Sequence, residues 1–116
     1  MADHDFGPVY RALRQVMLDN AGDQIVVEDT PGSVVLRTHA LDATGQPGWF
    51  GTVTIKKSYV AYHLIPLYEQ PELGKAISAA LAKRRQGKTC FNFAKPDEAL
   101  FAELAALTAR CAGSAG

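Results

Sequence analysis

Two stretches that favour extended backbone sit almost end to end in the middle of this chain. Trp49–Lys56 and Ser58–Ile65 both mix β-branched, aromatic and polar side chains, with only Lys57-Ser58 at the connection. A parallel crossover needs about a dozen residues or more, so these two strands must be antiparallel neighbours. A second hairpin precedes them. Gln24–Glu28 and Ser33–His39 flank Asp29-Thr30-Pro31-Gly32, where proline presets φ and glycine permits a positive one. Leu41–Gly48, with two glycines, a proline, Asp42 and Thr44, reads as a loop. Four antiparallel strands in succession exclude an alternating, doubly wound α/β fold.

Helical periodicity flanks this run. Val9, Leu13, Val16 and Met17 predict an amphipathic helix over 8–20, with Pro8 in its first turn, Asp5 or Gly7 as cap, and Ala21-Gly22-Asp23 as its stop. Leu73, Ile77, Ala80, Leu81 and Arg84 predict a second helix, opened by Pro71 and ending before Gly87. Thr89–Phe93 reads as a short fifth strand. Leu100, Leu104, Leu107 and Cys111 mark a third helix. The expected order is α-β-β-β-β-α-β-α. The expected fold is two-layer α+β, a single domain over 1–116, with an antiparallel sheet of about five strands and helices on one face.

The chain has 116 residues with 12 Lys+Arg against 12 Asp+Glu, but the balance hides opposed segments. Residues 51–95 hold eight cations and two carboxylates, while residues 1–50 hold three and seven. The positive part therefore lies in the central hairpin and the run Lys83-Arg84-Arg85-Gln86-Gly87-Lys88. That favours an anionic partner over a free cation. Overall neutrality argues against a nucleic-acid binder, and no apolar run approaches the ~20 residues that span a bilayer. The acidic start Met1-Ala2-Asp3-His4-Asp5 does not read as a signal peptide. Two cysteines outside any CxxC pair suit a reducing cytoplasm rather than a disulfide scaffold.

Strand alternation sorts the side chains. Val53, Ile55, Val60, Leu64, Phe91 and Phe93 are expected to pack under the helices, with Trp49 and Gly51 on the same side of their strand. The opposite face is expected to gather Lys56, Tyr59, His63, Cys90 and Asn92, joined by Phe50, Arg37 and His39. Cations, a thiol, an imidazole and phenols on one face suit a small anion or a planar ligand.

Gly51-Thr52-Val53-Thr54-Ile55-Lys56-Lys57-Ser58-Tyr59-Val60-Ala61-Tyr62-His63-Leu64-Ile65-Pro66 resembles the central hairpin of the YdhG-like family, small bacterial domains largely of unknown function. Gly87-Lys88-Thr89-Cys90-Phe91-Asn92-Phe93 and the Leu-rich helix after it resemble that family's last strand and helix. The resemblance covers about residues 49–111. It implies a compact cytoplasmic α+β domain with an antiparallel sheet and no established reaction. Some members look frataxin-like, which implies iron handling through acidic residues on the first helix and strand. This chain offers Asp19, Asp23, Glu28 and Asp29 there, with Arg11 and Arg14 on the helix itself, so no iron site is carried over.

Other motifs dissolve on inspection. Gly87-Lys88-Thr89 looks like the end of a P-loop, but Ala82 stands where its first glycine belongs, and the segment precedes a strand. His39, His63 and Cys90, with His4 and Cys111, match no zinc spacing. Cys90 and His63 would make a nucleophile–base pair only with an orienting group that the sequence does not show. The resulting expectation is a non-enzymatic binding domain without metal or cofactor. Its ligand site comprises Lys56, Tyr59, His63, Cys90 and Asn92, flanked by Arg84 and Lys88. The alternatives are a homodimer built on the same face and a frataxin-like metal carrier.

Overall fold

A computed structural model describes residues 6–22, 24–41, 45, 47–75, 77–87 and 89–114. It shows an α+β fold. Helix α1 (Gly7–Asn20) leads into strands β1 (Ile25–Thr30), β2 (Ser33–Leu41), β3 (Pro47–Ile55) and β4 (Val60–Leu64). Single helical turns α2 (Pro66–Glu69) and α3 (Ala79–Ala82) follow, separated by a 3₁₀ turn over Pro71–Gly74. Strands β5 (Arg85–Gln86) and β6 (Cys90–Phe93) and helix α4 (Glu98–Ser114) complete the chain. The six strands form one antiparallel sheet in the order β1-β2-β3-β4-β6-β5. The sixth strand beyond the expected five is the two-residue β5 at the edge.

Helices α1 and α4 pack on each other and cover one sheet face. The apolar stripe of α1 (Val9, Leu13, Met17) and that of α4 (Leu100, Leu104, Leu107, Cys111) are buried there. They meet Val34, Leu36, Val53, Val60, Tyr62, Leu64, Phe91 and Phe93 from the strands. The ring of Phe93 meets that of Phe101 edge-on, with centroids 5.0 Å apart. The Tyr62 hydroxyl lies 2.6 Å from Thr108 Oγ1, which itself donates to the Leu104 carbonyl. That chain gives every buried polar atom of β4 and α4 at this point a partner. At the other end, Arg14 of α1 makes a two-pronged ion pair with Asp29 of β1, through Nε–Oδ1 at 2.9 Å and Nη2–Oδ2 at 2.5 Å.

Two expectations need correction. The first concerns faces. Leu36 pairs with Gly51, but Arg37 pairs with Trp49, so β3 carries one extra residue at Phe50. A bulge of this kind reverses the alternation beyond it. Phe50 is therefore fully buried rather than on the open face, and Trp49 is 49% exposed rather than under the helices. The second concerns the helix expected from Pro71 to Gly87, which is broken into short turns. Pro71 disfavours helical backbone at the residue before it, and Gln70 indeed sits at φ −128°, ψ 78°. Ser78 then takes an extended conformation (ψ 160°) and caps α3 by accepting from the Leu81 N–H. Glu103 of α4 fixes that cap, accepting from the Ser78 N–H at 2.6 Å and from its hydroxyl at 2.7 Å. Beyond α3 the basic run enters β5 instead of ending a helix.

Candidate functional site on the open sheet face

Register alone assembles the face away from the helices. Thr52 lies opposite His63, His63 opposite Cys90, and Cys90 opposite Gln86. In the next row on the same face, Thr54 lies opposite Ala61 and Ala61 opposite Asn92. The Asn92 N–H donates to the Arg84 carbonyl at 2.9 Å, which extends this row to Arg84. Beyond it the hairpin closes with the Lys56 N–H donating to the Tyr59 carbonyl at 2.8 Å. Of the seven residues singled out from sequence, six thus belong to three adjacent rows of one face. Lys88 lies outside the described residues.

The middle of this arrangement is Ala61. It is buried, at 1% exposure, although it faces away from the helices. Its cross-strand neighbours Thr54 and Asn92 and its same-face neighbours Tyr59 and His63 are all partly exposed. Four larger side chains surround this methyl group and cover it, so Ala61 is the covered centre of a polar patch. Sequence reading passed over Ala61; the usable signal was the one small residue in a strand of large ones.

Hydrogen bonds fix much of the rim. The Cys90 thiol donates to Asn92 Oδ1 at 3.1 Å, and Asn92 Nδ2 donates to Gln86 Oε1 at 2.7 Å. His63 Nδ1 lies 3.3 Å from Thr89 Oγ1. Burial pushes the Cys90 thiol pKa up, against an opposing pull from Lys56. Burial, and after it the Lys56 charge, push the His63 pKa down. The thiol is thereby kept protonated and the imidazole neutral. A nucleophilic pair needs the reverse, a thiolate beside an imidazolium.

The charges on this face are uneven. Lys56 is exposed and takes part in no ion pair among the described residues. Among the described strand residues, Glu28 is the one carboxylate that register assigns to this face, and it stands on β1, three strands from β4. Arg84 is exposed and also lines a cleft of about 350 Å³ at the sheet edge, with Phe93, Lys95 and Asp97. It therefore flanks the patch around Ala61. At the far end of the face the Arg37 guanidinium stacks 3.7 Å above the Trp49 ring. Sequence reading had placed Arg37 on this face and Trp49 off it.

A second cleft of about 400 Å³ lies between the start of α1 and the β1–β2 turn, lined by Tyr10, Arg11, Arg14, Asp29 and Pro31 among others. Its Arg14–Asp29 pair is satisfied, as is the Tyr10 hydroxyl, which donates to the Thr30 carbonyl at 2.9 Å. These contacts tie α1 to the sheet. Among the described residues no group of three or more His, Cys, Asp or Glu is placed to hold a metal ion. No helix of the described residues is long and apolar enough to cross a membrane. No family model, curated protein or solved structure matches this chain.

Proposed function

We propose that this chain is a non-enzymatic, cytoplasmic binding module of the YdhG-like type, and that the polar patch around Ala61 takes a small anion or phosphorylated compound. The observation that carries the reading is the lining. On the face around Ala61 stand Lys56, Tyr59, Thr54 and His63, and the Lys56 charge acts on both His63 and Cys90. The two amide and thiol groups beside them already bond to each other. What remains for a ligand is donors and positive charge, with no carboxylate in the three rows, and such a set selects oxyanions.

Thermal unfolding in the presence of anions, inorganic phosphate first, tests this. A ligand at about a hundredfold its dissociation constant stabilises by ~2.7 kcal/mol, which here is a rise of roughly 10 °C. Lys56→Ala removes that rise and leaves the ligand-free melting temperature unchanged, because Lys56 is exposed and makes no ion pair among the described residues. If no anion in a broad panel stabilises the unmodified protein, the reading is wrong.

A second reading rests on Trp49. Trp49 is exposed and stacked under Arg37, and tryptophan and arginine are both enriched among the residues that anchor protein contacts. It supports a homodimer built on the same face, and a strictly monomeric protein in sedimentation at micromolar concentration would eliminate it.

A further inference from the structure

Resting on the anion-site reading above, we propose that His63 takes up a proton when an oxyanion docks on the patch around Ala61, so that binding at this face is coupled to pH. The groups around His63 come from every strand packed beside β4. From β3 it faces Thr52 directly, with Lys56 just beyond the strand at the hairpin end; from β6 it faces Cys90 directly, and Thr89, just before that strand, through a hydrogen bond. Behind β6, β5 contributes Gln86 and, one row on, Arg84. On its own strand Ala61 and then Tyr59 follow on the same face. The charged members, Lys56 and Arg84, are both cations. With no anion present, these surroundings and partial burial favour the neutral imidazole.

A docked oxyanion reverses that balance, because an opposite charge within about 4–6 Å favours the protonated form. The other titratable groups of the three rows have no proton to gain. Lys56 and Arg84 are cations, and burial holds the Cys90 thiol in its protonated form. His63 is the one group there with a vacant site. Its partner is suited to both states: Thr89 Oγ1 can donate to an unprotonated Nδ1 or accept from a protonated one. The imidazole therefore gains a proton without losing its hydrogen bond. Its other nitrogen becomes, or stays, a donor for the anion.

Sulfate is the probe, since its own charge is constant across the histidine range. Isothermal titration at about pH 5.5 and about pH 7.5, each in two buffers of different ionisation enthalpy, measures affinity and proton uptake together. The expected result is tighter binding at the lower pH, by up to about tenfold per pH unit, with a fraction of one proton taken up at the higher. His63→Gln, which keeps a hydrogen-bonding side chain but no titration, should bind sulfate with the same affinity at both pH values. His39→Gln should leave the coupling as it is. Sulfate bound by the unmodified protein with no pH dependence and no proton uptake overturns this proposal and leaves the anion site standing. So does coupling that survives His63→Gln. Absence of sulfate binding at both pH values, or undiminished binding by Lys56→Ala, overturns the anion site itself.

Discussion

Gly51→Ala probes how closely α1 and β4 approach β3. A Cβ built on Gly51 would lie 2.7 Å from the His63 carbonyl oxygen, 2.7 Å from Met17 Cε and 3.2 Å from Met17 Sδ. The methionine is flexible and can swing aside. The carbonyl belongs to β4 and can retreat only by opening the β3–β4 ladder. Overpacking of this kind costs about 1–3 kcal/mol. With an unfolding entropy of about 2.1 cal/mol/K per residue, 116 residues give roughly 0.24 kcal/mol/K. Each kcal/mol then lowers the melting temperature by about 4 °C, so the expected fall is about 4–12 °C. Thermal unfolding followed by circular dichroism reads this, with urea unfolding as the check on the free energy. Met17→Ala separates the two contacts. In that background the sulfur and methyl are gone and only the carbonyl clash remains, so Gly51→Ala should cost less than in the unmodified protein but still about 1 kcal/mol or more. A Gly51→Ala variant within about 0.5 kcal/mol of the parent, the range of ordinary surface changes, would refute the close approach.

Two further outcomes follow from buried groups. Tyr62→Phe should destabilise by about 1 kcal/mol, since Thr108 keeps its bond to Leu104, whereas Thr108→Val strands the buried phenol and should cost about 1–3 kcal/mol; urea unfolding of both variants gives the order, and the reverse order would mean that Tyr62 has another partner. Thiol labelling near neutral pH should modify Cys90 more slowly than a model thiol and leave Cys111, whose pKa burial raises to about 11, unlabelled until the chain is unfolded; labelling of Cys90 faster than the model thiol would bring back the nucleophile–base reading.

The fold was legible because its signals are local. The Lys57-Ser58 connection forces an antiparallel pair, and the apolar spacing of α1 and α4 survives in the structure as their buried stripes. What the sequence hid depends on competition between local and distant groups. Phe50 and Trp49 alternate correctly on paper, and a single extra residue in β3, visible only against β2, exchanges their faces. The segment after β4 has helical spacing, but it packs by other rules. Gly74 lets the Arg85 guanidinium approach so closely that an added Cβ would stand 3.0 Å from two of its nitrogens. Arg85 in turn leans over the Phe91 ring, at 6.0 Å from its centroid. A continuous helix through 71–86 would forgo the β5–β6 pairing that places Arg85 there. For the site, alternation was enough to put Lys56, Tyr59, His63, Cys90 and Asn92 on one face. It did not show the strand order β4-β6-β5, without which Arg84 has no place in the same row.

The two smallest side chains of the central hairpin explain why the face and the core are linked. Gly51 and Ala61 stand on adjacent strands, and each is small for a different neighbour. Gly51 admits Met17 of α1 on the helix side, and Ala61 lies covered by its larger neighbours on the open side. His63 touches both arrangements. Its carbonyl is the atom that a side chain at 51 would strike, and His63 stands beside Ala61 on the open face. Packing of α1 against β3 therefore sets the position of the backbone that carries His63. A shift of that strand by even a few tenths of an ångström moves the imidazole relative to Thr89, its hydrogen-bond partner, and Cys90, its cross-strand neighbour. A core substitution at Gly51 or Met17 should thus alter sulfate binding at the open face as well as stability, whereas Glu103→Ala, which releases the Ser78 cap of α3 and no group on β4, should alter stability alone.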